Sequence, residues 1–306
     1  MKTPITPLYG LTIALLTSAT LLPQAHAITI AHGGDSVDIE FVDIGNVGNV
    51  GQTYNDVWLN NTVTHGAVNY EYSIGTYEVT SDQWAAVAGF DALVENNSND
   101  PWTGSQPTAS ASWYEAAKFA NWLTSGNALQ GAYGFSDATT FTGVDRDTAL
   151  TTFGTIYVLP TVDEWYKAAY FKSDGSGYTT YATGDTTPVA GTDANYDGVN
   201  SAPWNVGSGS VENNGTYDMG GNVYEWSESE RNGPLIDPGE SQVIRGGSWG
   251  VNSGPLQSSY SGNGLSPADE FIDIGFRVAS ITAVPEPSSV GLLVIGAMGC
   301  MLRRKR

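Results

Sequence analysis

Three long stretches rich in glycine, asparagine, aspartate, serine and threonine, 45–69, 124–156 and 173–215, break up this 306-residue chain. Loops of that length are uncommon inside a compact domain, because backbone groups outside regular ladders must find other partners. The composition therefore points to a fold with sparse regular structure, held by packed loops, ions and large buried side chains. Nine Trp, 16 Tyr and 9 Phe supply the apolar surface, although only 41% of residues are hydrophobic. The single cysteine, Cys300, stands six residues before the last, at Arg306. The chain before it can form no disulfide and offers no thiolate for catalysis or metal binding. Roughly 255 residues of core must hold together by burial, a length that suits one domain.

Both ends carry export signals. Lys2, an apolar run from Leu11 to Leu22, and the small-residue pattern Ala25, His26, Ala27 predict a signal peptide over 1–27, cut after Ala27. The apolar run is short for a membrane span, and a buried N-terminal helix is the alternative. At the other end Val284, Pro285, Glu286 and Pro287 precede an apolar segment, Val290 to Leu302, and then Arg303, Arg304, Lys305 and Arg306. Composition alone reads as a short membrane segment with a basic cytoplasmic stop. The order also resembles the PEP-CTERM sorting tail of Gram-negative bacteria, which implies recognition and removal by an exosortase-type enzyme after transient membrane anchoring; an uncleaved anchor is the alternative. The domain between is expected over 28–283, with the tail over 284–306.

Five of the 12 basic residues and one of the 32 acidic residues lie in these ends, so the core holds 31 acidic residues against 7 basic ones. Such a surface repels nucleic acid and attracts cations. Simple solubility outside the cell explains the same excess.

Three helices are marked by their caps, each a Ser or Thr with Glu or Gln three residues on: Thr80 with Gln83, Ser112 with Glu115, Thr161 with Glu164. In the second, Trp113, Ala116, Ala120 and Leu123 recur at helical spacing, so its aromatics are expected in the core. Strands are expected over Val37 to Ile44, with Val37, Ile39 and Phe41 on one face, over Glu71 to Tyr77, and around Ile244, Phe276 and Val278.

Six segments in order carry a family resemblance: YEVT at 77–80, SWYEAAKFANWL at 112–123, LPTVDEW at 159–165, YDMGGNVYEW at 217–226, RGGSW at 245–249 and GFRV at 275–278. Together they resemble the formylglycine-generating enzyme, or sulfatase-modifying factor, family from about Phe41 to Ser280. The resemblance implies a single α+β domain of the elaborated C-type-lectin-like fold, with little regular secondary structure and long loops. The pieces read physically as architecture. In LPTVDEW a strand ends and Thr161 starts a helix; in RGGSW Gly246 and Gly247 permit positive φ, and Arg245 is expected to pair with a carboxylate. Arg277 is a candidate buried partner for Asp218 or Glu225.

Calcium is the most concrete cofactor expectation. Asp218 and Glu225 supply hard oxygens, and Gly220 and Gly221 let the loop curl so that carbonyls face an ion needing six to eight oxygens. The resemblance implies Asp218 and Glu225 as side-chain ligands, with Gly221 and Val223 as carbonyl ligands. The alternative is a turn in which the carboxylates serve as caps. A second segment, DANYDGVN at 193–200, begins like an EF-hand loop but has Trp204 where the twelfth position needs Glu. By resemblance it supplies a second calcium site through the side chains of Asn195 and Asp197 and the carbonyls of Tyr196 and Val199; a solvated polar turn is the alternative.

Active members of the family use two cysteines just after the GGS motif, with copper and oxygen, to oxidise a substrate cysteine to an aldehyde. This chain places Val251 and Leu256 there, and neither forms a thiolate or binds Cu(I) through sulfur. No catalytic residue is assigned, no copper is expected, and the oxidase activity is expected to be absent. His26, His32 and His65 lack the spacing of a zinc or iron centre, and Gly34 to Ser36 lacks the context of a hydrolase elbow. A ligand cleft framed by Ser248, Trp249, Val251, Leu256 and Arg277 is expected, with Trp249, Tyr260 and Trp226 available for stacking. The expectation is an exported, calcium-stabilised, non-catalytic binding or matrix module in the envelope or outside the cell, with polysaccharide or protein as its partner. The alternative is a divergent enzyme working through polar groups around Ser248 and Arg277.

Overall fold

A computed structural model describes residues 25–56, 61–95, 99–230, 241–260 and 262–283. The apolar runs at both ends and Cys300 lie outside these residues. Among the described residues no helix is long and apolar enough to cross a membrane.

In chain order the first half runs β1 (His26–His32), β2 (Asp35–Ile44), β3 (Gln52–Asp56), β4 (Asn61–His65), β5 (Tyr72–Gly75), α1 (Ser81–Phe90), α2 (Trp113–Ser125), β6 (Tyr133–Phe135) and β7 (Phe141–Val144). The second half runs α3 (Arg146–Phe153), β8 (Thr155–Val158), α4 (Val162–Tyr170), β9 (Tyr224–Glu230), β10 (Gln242–Arg245), β11 (Asn263–Leu265), β12 (Ile274–Gly275) and β13 (Ala279–Thr282). The main sheet has the order β1-β2-β5-β13-β8, so the two ends of the domain meet in one sheet. Every neighbouring pair in it is antiparallel. A second sheet, β11-β10-β9-β12, carries the glycine-rich motifs at its edges; β12 runs parallel to β9 there. Two hairpins, β3 with β4 and β6 with β7, complete the α+β fold.

The three capping boxes form as the sequence predicts: Thr80, Ser112 and Thr161 each accept from the backbone three residues on, and Gln83, Glu115 and Glu164 reach back. Each cap satisfies donors that a helix start leaves orphaned, and fixes where the chain turns into the core. The aromatics of α2 are core: Trp113, Phe119 and Trp122 are buried. Phe119 stacks on Trp84 of α1 at 5.5 Å, and Phe276 meets both rings edge-on. Val37, Ile39 and Phe41 share the buried face of β2.

Two of the three loop stretches hold more structure than expected. The hairpin β3–β4 lies in 45–69, and β6, β7 and α3 lie in 124–156; all are short, and α3 buries only Ala149. Only 173–215 lacks a named strand or helix, and isolated bridges at Phe171 to Tyr178, Tyr181 to Gly184 and Ala190 to Ala194 hold it. The strand β1 starts at His26, with Ala27 opposite Glu40, so cleavage after Ala27 removes the first two of its seven cross-strand pairs.

Candidate functional site

The structure brings the candidate segments of the sequence into one knot. In the 217–226 segment, Asp218, Gly221 and Asn222 have φ of 60°, 94° and 61°, left-handed values that curl the chain ahead of β9. A side chain at Gly221 would collide with the Asn195 carbonyl, so only glycine lets the two loops touch. Asn222, fully buried, is the stitch. Its amide N–H donates to the Asn195 carbonyl at 2.7 Å, its Oδ1 accepts from Trp204 N–H at 2.9 Å and Asn195 Nδ2 at 3.2 Å, and its Nδ2 donates to Glu78 at 3.1 Å. The 193–200 segment in turn ties to the RGGSW loop: Asp197 N–H donates to the Val251 carbonyl and Gly198 N–H to the Trp249 carbonyl.

Beneath this knot four buried carboxylates, Glu78, Glu212, Asp218 and Glu225, surround one buried guanidinium, Arg277. Arg277 grips Glu225 with two parallel bonds, Nε to Oε2 and Nη2 to Oε1, each 2.7 Å. Its remaining donors reach the carbonyls of Gly75, Thr76 and Tyr217. Glu225 Oε2 also accepts from Trp165 Nε1 at 2.8 Å. Asp218 accepts from Trp204 Nε1 at 2.8 Å on one oxygen and from Gly207 N–H at 2.7 Å on the other. Burial raises the Asp218 carboxyl above its ordinary value, and it pushes Glu212 up to about 8. Glu78 is raised as well: burial first, then the neighbouring Asp218 charge, disfavour its ionised form.

Of the side chains expected to hold calcium, those of Asp218, Glu225 and Asn195 are hydrogen-bonded within the protein. All four side-chain oxygens of Asp218 and Glu225 accept N–H donors, and Arg277 supplies the positive charge. The Asn195 amide is turned to Ala202, Asn200 and Asn222, and Tyr196 is buried with its hydroxyl on the Pro188 carbonyl. Asp197 and Val199 are exposed. Asp197 is the open side-chain carboxylate of the second loop, and any calcium there would draw the rest of its six to eight oxygens from carbonyls such as those of Tyr196 and Val199. Among the described residues no three His, Cys, Asp or Glu side chains are grouped to hold a metal.

Three of the five residues expected to frame a cleft, Ser248, Leu256 and Arg277, are buried. Leu256, 1% exposed, packs with Tyr181, Ala194 and Tyr196, and Val251 lies against the same cluster. Gly247, at φ 81°, has no room for a side chain because Leu256 Cδ1 fills it. The cavity left beside Leu256 is about 10 Å³, no more than one water's worth of space. Ser248 is fully buried and donates to Asp273 Oδ2 at 2.9 Å. Arg277 belongs to the carboxylate knot and not to this cleft. Trp226 and Tyr260 are likewise core, Trp226 donating to the Ala111 carbonyl, because each ring fills the interior of the second sheet's neighbourhood. Trp249 and Val251 stay partly exposed, Trp249 edge-on to Trp102 with ring centres 6.4 Å apart. Arg245 finds no carboxylate partner among the described residues; its guanidinium lies over the rings of Trp165 and Tyr166 at 5.2 and 5.4 Å and donates to the Tyr260 carbonyl.

Sequence reasoning missed Glu78, Glu212 and Asn222, and also a second ion-pair centre in which Arg146 bridges Glu164 at 2.8 Å and Glu228 at 2.9 Å. Asn222 stood inside the motif and was open to notice. Isolated acids such as Glu212 carry no pattern that distinguishes a buried carboxylate from a solvated one.

An α+β domain with four helices among the described residues, a curled sheet, loops knotted around buried charges, and strands from both ends in one sheet is the elaborated C-type-lectin-like architecture. The chain belongs to the family described as the sulfatase-modifying factor enzyme 1-like domain, whose profile matches residues 20–281, and a PEP-CTERM protein-sorting motif covers 283–306. That motif points to export and to a cell-envelope or extracellular location. Among solved structures, Treponema denticola variable protein 1 superposes with a TM-score of 0.61 at 24% identity, covering 84% of this chain and 99% of its own. PvdO from Pseudomonas aeruginosa superposes at 0.55 and 19% identity, covering 83% and 97%. A protein named as the chaperone LppX, from Paenibacillus barcinonensis, is 26% identical over 233 residues, covering 68% of this chain and 79% of that protein.

Proposed function

We propose that the chain is an exported, non-catalytic binding or matrix module. The observation that carries this reading is the apolar pair Leu256 and Val251, where the family's chemistry needs two thiols. A thiol-free pair offers no sulfur nucleophile, and the buried Leu256 side chain fills the space beside Gly247. A divergent enzyme would need Ser248 and Arg277, and both are already committed, to Asp273 and Glu225. The surface beside these residues suits binding instead: Trp249 and Trp102 lie edge to face, and Phe271 and Ile272 are 47% and 49% exposed next to them. Half-exposed aromatic rings present the flat apolar face on which sugar rings stack. Extracellular polysaccharide is therefore the favoured partner, and a protein client, as the name of the LppX relative suggests, is the second reading.

The test is a glycan array probed with the purified core, with Trp249→Ala beside it. Binding to a defined glycan that weakens in the variant supports the reading, while aldehyde formation on a cysteine-bearing sulfatase peptide with copper and oxygen would overturn it.

A further inference from the structure

Strand β13 carries the chain out of the domain toward its sorting motif, and it is held on both sides, by β5 and by β8, up to the pair Thr282 with Thr155. One residue on, Ala283 N–H still donates to the Gly154 carbonyl at 2.7 Å, and the Thr282 and Thr155 hydroxyls meet at 3.1 Å. Backbone pairing thus holds the chain as far as Ala283. Pro285, which opens the Pro-Glu-Pro triplet, follows two residues later, within about 7 Å of chain. The apolar run starts at Val290, seven residues from Ala283, a span of at most about 25 Å.

Beside this exit the main sheet offers a groove. Asp43, Ser73 and Ser280 stand in register across β2, β5 and β13. Strand alternation puts Glu71 and Thr282 on the same face, while Ile74, Ala279 and Ile281 turn to the core. With Ala283 these residues wall a groove of about 490 Å³. No Lys, Arg or His lines it, and two carboxylates do. Asp43 is exposed and accepts the Ser73 hydroxyl at 2.6 Å; the exposed Glu71 carboxylate has no partner among the described residues. Glu286, inside the triplet, brings a third acid within three residues of the groove.

An enzyme that grips residues 285–287 has only about 7 Å of chain between the motif and a paired strand, so its surface has to lie over this end of the sheet. A motif on a long flexible linker would impose no such contact. We infer that the groove beside Ala283 is a docking surface for the enzyme that processes the sorting tail, which meets Asp43 and Glu71 with basic side chains and reads domain and motif together. Exposed charges at the rim of an interface act chiefly on the rate of encounter and on partner choice. A second copy of this strongly acidic chain would set like charge against like. The inference rests on the sorting motif at 283–306 and not on the binding partner proposed above.

The test follows conversion of the full-length precursor to the processed protein by pulse labelling, in a host that carries the matching tail-processing enzyme. Asp43→Asn with Glu71→Gln is expected to slow conversion about threefold or more, with the melting temperature of the purified protein unchanged. Asp35→Asn with Asp82→Asn removes two exposed acids elsewhere, Asp35 at the other end of β2, and is expected to process at the parental rate. A flexible Gly-Ser spacer of about eight residues after Ala283 frees the motif from the sheet. In that background the Asp43 and Glu71 substitutions are expected to make no difference. Conversion at the parental rate in the first pair, equal slowing in both pairs, or slowing that persists undiminished behind the spacer would each overturn the inference.

Discussion

Arg277 and Glu225 form a fully buried two-bond ion pair at 2.7 Å, with the arginine delivered by the segment after β12 and the glutamate by β9. The pair joins the glycine-rich motif to the C-terminal GFRV motif, and the guanidinium also clamps the carbonyls of Gly75 and Tyr217. Removing one partner of a buried pair leaves an uncompensated charge, which costs about 3–5 kcal/mol. Arg277→Met is therefore expected to lower unfolding stability by about that amount, measured by urea denaturation, and Arg277→Met with Glu225→Gln is expected to recover part of it. Additive losses in the double variant would show that the two residues act independently.

The same pair bears on calcium. With the oxygens of Asp218 and Glu225 held by Arg277, Trp165, Trp204 and Gly207, the loop has its counter-charge built in. Exhaustive treatment with EDTA is expected to leave the melting temperature unchanged. A drop of several degrees, restored by added calcium, would mean that these carboxylates turn from their N–H donors to an ion.

The parts of the fold that could be read from sequence were those where local chemistry and tertiary structure agree. Thr80, Ser112 and Thr161 sit before helices because their hydroxyls and the acids three residues on satisfy the helix start. The alternation of Val37, Ile39 and Phe41 marks β2 because one face is core and the other meets solvent. Helix α3 escaped because its cap, Asp145, has Thr148 and not Glu three residues on, and almost no apolar face follows. The hairpin β3–β4 escaped for a related reason: its exposed Thr53, Thr62 and Thr64 read as loop. At the candidate site the motifs were legible, and so was Arg277 as a partner for Glu225. The burial of Leu256 was not, since only packing decides whether Leu256 lines a pocket or fills it.

That packing is testable. Leu256 is anchored by apolar contacts with Tyr181, Ala194 and Tyr196, and Tyr170 donates to its carbonyl at 3.1 Å. Leu256→Ala removes buried methyl groups and leaves a void, at a cost of about 2–5 kcal/mol. Thermal unfolding is expected to show this loss. A cost under about 1 kcal/mol would mean that the region is open to water and that the cleft exists in solution.

Glu212 gives the protein a pH dependence of defined sign. Burial pushes its carboxyl up to about 8, against an ordinary value of 4.5, while Thr216 donates to Oε2 at 2.9 Å. The folded chain therefore keeps this proton through neutral pH, whereas the unfolded chain loses it near 4.5. The stabilising contribution is complete below the unfolded value and is lost as pH rises to about 8, where the folded group also ionises. In Glu212→Gln the amide stands in for the neutral acid and still accepts from Thr216, so the variant should not lose stability over this range. The difference in melting temperature between variant and parent is expected to grow in the variant's favour from pH 5 to pH 8 and to level off above it. Using the difference cancels the repulsion among the many surface carboxylates, which both proteins share. Parallel curves across that window would show that Glu212 is ionised in the folded state and paired by Arg277 more strongly than burial opposes it.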